Sequence, residues 1–270
     1  MLHTAGPCSQ GVRAHYSAVR IKSRKMAQFL FICRKKKLAR LVLAASILLL
    51  LLMGCDRDDA IKGGSSKEMT TGPIVYVALG DSTGSGVGAR NGGYVLRLFN
   101  RLVERRPGSK LTNLCVSGAT TEDLVRSQLE RGAALNPDLV TVGIGINDIG
   151  HGLTIDQFAR NYENILSTLK QKTKAQIVVT NIPDISSAPR IPGPMRSEYQ
   201  QQIISFNERL EEIAHRHGVT IFDMYTISKD ELPSHPEYFS SDGFHPSDLG
   251  YELWAEQMWP TLAKVIGVLP

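Results

Sequence analysis

From residue 73 onward the chain alternates short apolar runs with longer amphipathic segments. The runs are Ile74 to Leu79, Leu111 to Val116, Leu139 to Ile146, Gln176 to Asn181 and Thr220 to Met224. They are apolar at nearly every position rather than at every second one, the pattern of parallel strands covered on both faces. The segments between them are long enough for crossover helices. In one, Ile155, Phe158, Ala159, Tyr162, Ile165, Leu166 and Leu169 keep the i, i+3, i+4, i+7 spacing, and Thr154 with Gln157 forms a capping box at its start. Another, from about Ser197 to Arg216, places Tyr199, Ile203, Phe206, Leu210 and Ile213 on one face and stops at Gly218. The pattern predicts an α/β fold, a doubly wound five-stranded parallel sheet with helices on both faces. Ligands of such sheets bind beyond the carboxyl ends of the strands.

Upstream the pattern is different. Arg34-Lys35-Lys36-Lys37 and Arg40 precede an apolar run from Leu41 to Met53, with Ser46 its one polar residue, followed by Gly54-Cys55. The run is shorter than the roughly 20 residues a spanning helix needs, and its basic flank suits a cleaved leader. Leu52-Met53-Gly54-Cys55 resembles the lipobox of bacterial lipoproteins, which implies lipidation of Cys55 and a mature chain beginning there. Residues 1–54 are therefore expected to be leader, with Met26 as the expected start and residues 1–25 untranslated, because a chain begun at Met26 has a leader of conventional length. Residues 55–72 are polar and Gly/Ser-containing and read as a flexible tether with a reach of about 20 Å. Residues 73–270 form the expected folded domain.

Charge and cysteine content change the picture further. The formal net charge is +5, yet residues 1–54 hold ten Lys/Arg and no acid, leaving 21 basic against 26 acidic side chains, net −5, in the remainder. The basicity belongs to the leader, so a nucleic-acid partner is not expected. Cys115 is the one cysteine after Cys55, which excludes an internal disulfide downstream of the leader. It lies in the apolar stretch Leu114-Cys115-Val116 and is expected as a small buried hydrophobe rather than a nucleophile. No His/Cys/Asp cluster has metal-ligand spacing, and neither metal nor cofactor is expected.

Candidate chemistry lies just after the predicted strands. Gly80-Asp81-Ser82 follows the first, Ser117-Gly118-Ala119-Thr120 the second and Gly145-Ile146-Asn147-Asp148 the third, while Asp242-Gly243-Phe244-His245 follows the last. A serine hydroxyl becomes a nucleophile when an imidazole takes its proton, and the imidazole needs an acceptor on its other nitrogen. Ser82, His245 and Asp242 can supply those three parts. Developing charge on a carbonyl oxygen needs fixed donors, for which the N–H groups of Ser82 and Gly118 and the Asn147 amide are available.

These four blocks resemble, in order, the signature blocks of the SGNH hydrolases, also called the GDSL esterase/lipase family. The stretch DGFHPSDLGYELWA around His245 is similar to that family's closing block. The resemblance covers about residues 73–265. It implies a flavodoxin-like sheet and a serine esterase with Ser82 as nucleophile, Asp242 and His245 completing the triad, and Ser82, Gly118 and Asn147 in the oxyanion hole. The substrate would be a small-molecule or lipid ester cleaved through an acyl-enzyme on Ser82. An O-acetyl esterase or acyltransferase acting on glycans would use the same residues.

Two rivals concern the serine itself. Gly80-Asp81-Ser82-Thr83-Gly84 fits the nucleophile elbow of α/β-hydrolases, but that elbow follows several strands, and this one follows the first. Ser82 to Gly86 could instead cradle a flavin or nucleotide phosphate, although no Gly-Lys-Ser/Thr follows. Asp81 and Asp148 are expected to organise their loops by accepting backbone N–H groups. His151 is expected as a loop histidine, and His215 and His217 as partners of a helix C-terminus. The loop Ser187 to Met195 could border an acyl pocket or serve as an ordinary connection. Lipidation at Cys55 would place the chain on a bacterial envelope membrane, facing the periplasm or exterior, and Asp56 after it resembles an inner-membrane retention signal.

Overall fold

A computed structural model describes residues 72–268. The leader, Cys55 and the expected tether up to residue 71 lie outside the described residues. The first half runs β1 (Val75–Gly80), α1 (Ser82–Ser85), α2 (Tyr94–Arg105), β2 (Lys110–Asn113), α3 (Thr121–Ser127), α4 (Leu129–Ala133), β3 (Leu139–Gly143) and α5 (Ile146–Gly150). The second continues α6 (Ile155–Lys172), β4 (Gln176–Thr180), α7 (Arg196–Arg216), β5 (Thr220–Phe222), α8 (Met224–Glu231) and α9 (Asp248–Val265). All strand pairs are parallel, in the order β2-β1-β3-β4-β5. This is the flavodoxin-like doubly wound sheet that the apolar runs and the motif resemblance predict.

The order reverses direction between β1 and β3. The chain leaves β1 toward one side and β3 toward the other, so the loops after these two strands part and leave a crevice at the carboxyl edge. One face of the sheet packs against α3 to α7, where Phe158, Tyr162, Ile165 and Leu166 of α6 are fully buried. The other is closed by α2, α8 and α9, with Tyr94 stacked on Trp254 at 4.6 Å between ring centroids. Burying each such side chain contributes roughly 1.5–3 kcal/mol. The capping box of α6 forms as expected, with the Thr154 hydroxyl accepting Gln157 N–H and the Gln157 side-chain oxygen accepting Thr154 N–H.

Four predicted strands are shorter than their apolar runs, the fourth by one residue, ending at Thr180. The second stops at Asn113 rather than Val116 and is not buried on both faces: it is an edge strand with Lys110 and Asn113 exposed. The Asn113 amide turns to donate to the Gly84 carbonyl (2.8 Å), although Leu114 and Val116 still donate to Ala78 and Gly80. The third stops at Gly143, and Ile146 opens α5 while staying buried. The fifth stops at Phe222 because Asp223 caps α8 through Thr226 N–H. An unbroken apolar run reports burial, and burial continues where the chain turns from strand into loop or helix.

Candidate active site

Each part of the site begins with a local constraint on the backbone. Gly80 ends β1 beside Gly143, where a Cβ would lie 2.4 Å from the Gly143 carbonyl oxygen, so close approach of strands, rather than an unusual φ, demands the glycine. Its two backbone groups facing away from β3 are held by one side chain: Gln128 accepts from Gly80 N–H and donates to Gly80 C=O, both at 2.8 Å. The next residue, Asp81, caps α1 by accepting the Thr83 N–H and hydroxyl at 2.9 Å. Ser82 is thereby the first residue of a short helix at the mouth of the crevice. The downstream Gly88, at φ +94°, passes so close beneath the histidine loop that a Cβ there would meet His245 Cβ at 2.9 Å. At Gly88, close contact with the protein's own chain accounts for the glycine without a phosphate.

His245 comes from a small looped hairpin between α8 and α9. Ser240 N–H donates to His245 C=O and Ser247 N–H to Tyr238 C=O, both at 2.8 Å, pairing the two arms. At its tip Asp242 Oδ1 accepts the N–H groups of Phe244 (2.8 Å) and His245 (2.9 Å), and the Ser240 hydroxyl (2.8 Å). Asp242 Oδ2 lies 2.6 Å from His245 Nδ1, and His245 Nε2 lies 3.0 Å from Ser82 Oγ. Carboxylate, imidazole and hydroxyl thus form one hydrogen-bonded chain across 163 residues of sequence. Burial would raise the Asp242 carboxyl, but the bonds from the His245 ring and the His245 and Phe244 N–H groups prevail and hold it well below the usual carboxylate range. It therefore stays ionised throughout mildly acidic conditions.

Gly118 and Asn147 sit on the loops after β2 and β3. Gly118 adopts φ +77°, is exposed, and has nothing within 4 Å of where a Cβ would stand. The Asn147 amide donates to the Ala119 carbonyl at 2.9 Å, which ties the two loops together while leaving its second N–H uncommitted. Asp148 does organise backbone N–H groups as expected, but those of a different loop: it accepts Thr121 N–H at 3.0 Å and the Thr121 hydroxyl at 2.5 Å. The pair of donors is thus braced from behind. The Gly118 and Asn147 side of the crevice makes no hydrogen bond to Ser82.

The remaining expectations sort plainly. His151 is exposed and its side chain makes no hydrogen bond among the described residues, whereas His217 pairs with Glu163 at 2.6 Å near the end of α7. Cys115 is half-buried, and burial pushes its thiol far up, away from the thiolate a nucleophile needs. The loop Ser187 to Met195 does not line the cleft beside Ser82. It braces the histidine loop instead, with Arg190 N–H donating to Gly243 C=O at 3.0 Å and Pro189 against Gly243. Sequence reasoning missed Gln128 and Ser240, for neither polar side chain carries a motif that marks it, and missed an apolar cleft of about 600 Å³, open to solvent, next to Ser82 and His245. Among the described residues no group of His, Cys, Asp or Glu has the arrangement of a metal site.

Asp81 offers a test of how tightly the nucleophile loop is packed. It is 2% exposed, and burial pushes its carboxyl up to about 6 in spite of the Thr83 hydrogen bonds. The folded state then holds this proton to higher pH than the unfolded chain, so stability is greatest below the ordinary value near 3.8 and falls as pH rises through about 6. Asp81→Asn keeps the acceptor and removes the charge. We expect urea melts to show it more stable than the parent by about 1–3 kcal/mol at pH 7.5, with the difference gone by pH 4. An advantage that does not change with pH would refute this account.

An imidazole-paired serine at the switch point of a parallel α/β sheet defines the class, a serine-type hydrolase. The sequence model of the GDSL-like Lipase/Acylhydrolase family matches residues 78–253, and the chain belongs to that family, as an ester-hydrolysing enzyme. It is 23% identical over 199 residues to a rat (Rattus norvegicus) protein, isoamyl acetate-hydrolyzing esterase 1 homolog, covering 67% of this chain and 78% of that one. Solved structures share the fold. The lipase/acylhydrolase of Enterococcus faecalis superposes with a TM-score of 0.58 at 22% identity, over 71% of this chain and 96% of that one. The acetylxylan esterase of Geobacillus stearothermophilus does so with 0.60 at 21%, over 74% and 98%.

Proposed function

We propose that Ser82 is the nucleophile of a carboxylic-ester hydrolase, with His245 as general base and Asp242 as the group that orients it. The observation that carries this reading is the continuous chain from Ser82 Oγ to His245 Nε2 (3.0 Å) and from His245 Nδ1 to Asp242 Oδ2 (2.6 Å). Asp242, held ionised, fixes the proton on Nδ1 and leaves Nε2 to accept the serine proton as Oγ attacks the ester carbonyl. The Ser82 and Gly118 N–H groups and the Asn147 amide receive the developing oxyanion, and the brace from Ala119 and Asp148 spares them reorganisation as charge builds. Protonated His245 then gives its proton to the departing alkoxide, and water resolves the acyl-enzyme by the same steps in reverse order. A fluorophosphonate probe should add one covalent adduct, located on the Ser82 peptide by mass spectrometry. Absence of the adduct, or its location elsewhere, sinks the assignment.

The same proposal extends to where the enzyme works. The basic flank, the apolar run Leu41 to Met53 and Gly54-Cys55 support lipidation of Cys55 and attachment to a bacterial envelope membrane, the inner one by the reading of Asp56. Cys55→Ala is expected to move the protein from the membrane fraction to the soluble fraction of cells fed a labelled fatty acid. Unchanged membrane recovery, or no label on the parent, overturns it.

A further inference from the structure

The apolar cleft meets the reacting pair directly, since both Ser82 and His245 form part of its wall. From them it runs between the loop after β4, the end of α8 and the start of α9, bounded by Ile146, Ile185, Leu232, Phe244, Leu253 and Trp254. The cleft holds about 600 Å³ of empty space when the part open to solvent is counted, and its lining is almost wholly apolar.

The wall also shows what cannot be accommodated. No Lys, Arg, Asp or Glu lines it. The Ser228 hydroxyl is committed, donating to Met224 C=O and accepting Asp184 N–H, both at 2.7 Å, and the Thr83 hydroxyl donates to Asp81. Besides the reacting pair, the polar side-chain atoms left on the wall are the Tyr238 hydroxyl and the Trp254 indole N–H, the latter buried without a partner. A saccharide placed here would surrender water from many hydroxyls and find two partners. Each buried hydroxyl left unpaired is costly, whereas hydrocarbon loses nothing.

We infer that this cleft is a hydrocarbon-binding site and that the enzyme prefers esters carrying a medium-length aliphatic chain over acetylated saccharides. The inference rests on Ser82 being the nucleophile, because the cleft matters to turnover only if the reacting carbonyl sits at its mouth. The chain can arrive on either side of the ester bond, as acyl group or as alcohol. In both cases the reaction is the same: Ser82 Oγ bonds to the carbonyl carbon, the alkoxide leaves with the His245 proton, and water releases the carboxylic acid.

The test uses two series with the purified full-length protein: p-nitrophenyl esters of two- to twelve-carbon acids, and acetates of two- to ten-carbon alcohols. Each methylene taken fully into the cleft should raise kcat/KM by about fourfold, and a partly wetted one by less. We expect a rise of at least about tenfold from the shortest member to a six- to eight-carbon member in one of the series, the rising series identifying which side of the ester enters. Leu232→Trp, which fills the cleft from the end of α8, should lower the ratio of octanoate to acetate turnover, or its alcohol-series equivalent, by about tenfold. Ile185→Phe serves the same purpose if Leu232→Trp fails to fold in a thermal melt. Short acetates giving the highest kcat/KM in both series, or an acetylated xylo-oligosaccharide outperforming every aliphatic ester, overturns the inference. If that result comes with a Ser82 fluorophosphonate adduct, the nucleophile assignment survives it. Without an adduct both readings fall.

Discussion

Alanine at position 82 is expected to lower kcat for p-nitrophenyl butyrate by about 10⁵- to 10⁶-fold, the scale on which serine hydrolases lose activity with their nucleophile. The substitution removes one oxygen, 3% exposed in its residue, whose recorded side-chain partner is His245. Asp81 still caps α1 and Gln128 still holds Gly80, so the fold has no reason to change. A urea melt should therefore move by less than about 1 kcal/mol. The residual rate would come from the oxyanion donors and from binding. A loss smaller than tenfold in protein free of other esterases would remove Ser82 from the mechanism.

Asp242→Asn should cost about 10⁴-fold in kcat, for a reason that the geometry makes specific. The Asp242 carboxylate divides its work between two oxygens: Oδ1 holds the turn through Phe244 and His245 N–H, while Oδ2 faces His245 Nδ1. Asparagine can keep Oδ1 on the turn, which leaves its NH₂ facing Nδ1. That ring nitrogen must then accept, the proton moves to Nε2, and Nε2 can no longer take the serine proton. The loop stays folded and the base is lost. Asp242→Ala, by contrast, releases the turn as well and should also lower the thermal midpoint. If the two variants lose equal activity and equal stability, Asp242 matters through the loop rather than through the tautomer.

The parts of this molecule that were legible in its sequence are those where physical chemistry leaves a local mark. The five apolar runs located every strand of the sheet and the periodicity of Phe158, Tyr162, Ile165 and Leu166 located α6, because burial is written in residue type. Strand ends were not legible: Ile146 is as apolar in α5 as it would be in β3. The pairing of Ser82 with His245 was legible because four motif blocks stood in order, although 163 residues separate the two. Gln128 and the apolar cleft were not. Gln128 is one polar residue at the junction of two short helices, and the cleft is assembled from side chains on five separate segments, so neither leaves a pattern in any one stretch.

The Gln128 amide has a meaning for how such a protein can vary over time. It stands in for a peptide unit, giving Gly80 N–H the acceptor that a regular continuation of β2 would have supplied and adding a second donor to the Gly80 carbonyl beside Val116 N–H. The serine's anchor point thus depends on the chain after β2 through one bond, from Val116 N–H, rather than through a full ladder. Substitutions at Leu114 and Cys115 are thereby kept from pulling on Ser82, whereas the turn from Val116 to Ala119 cannot change length without moving Gly118 and the carbonyl that holds Asn147.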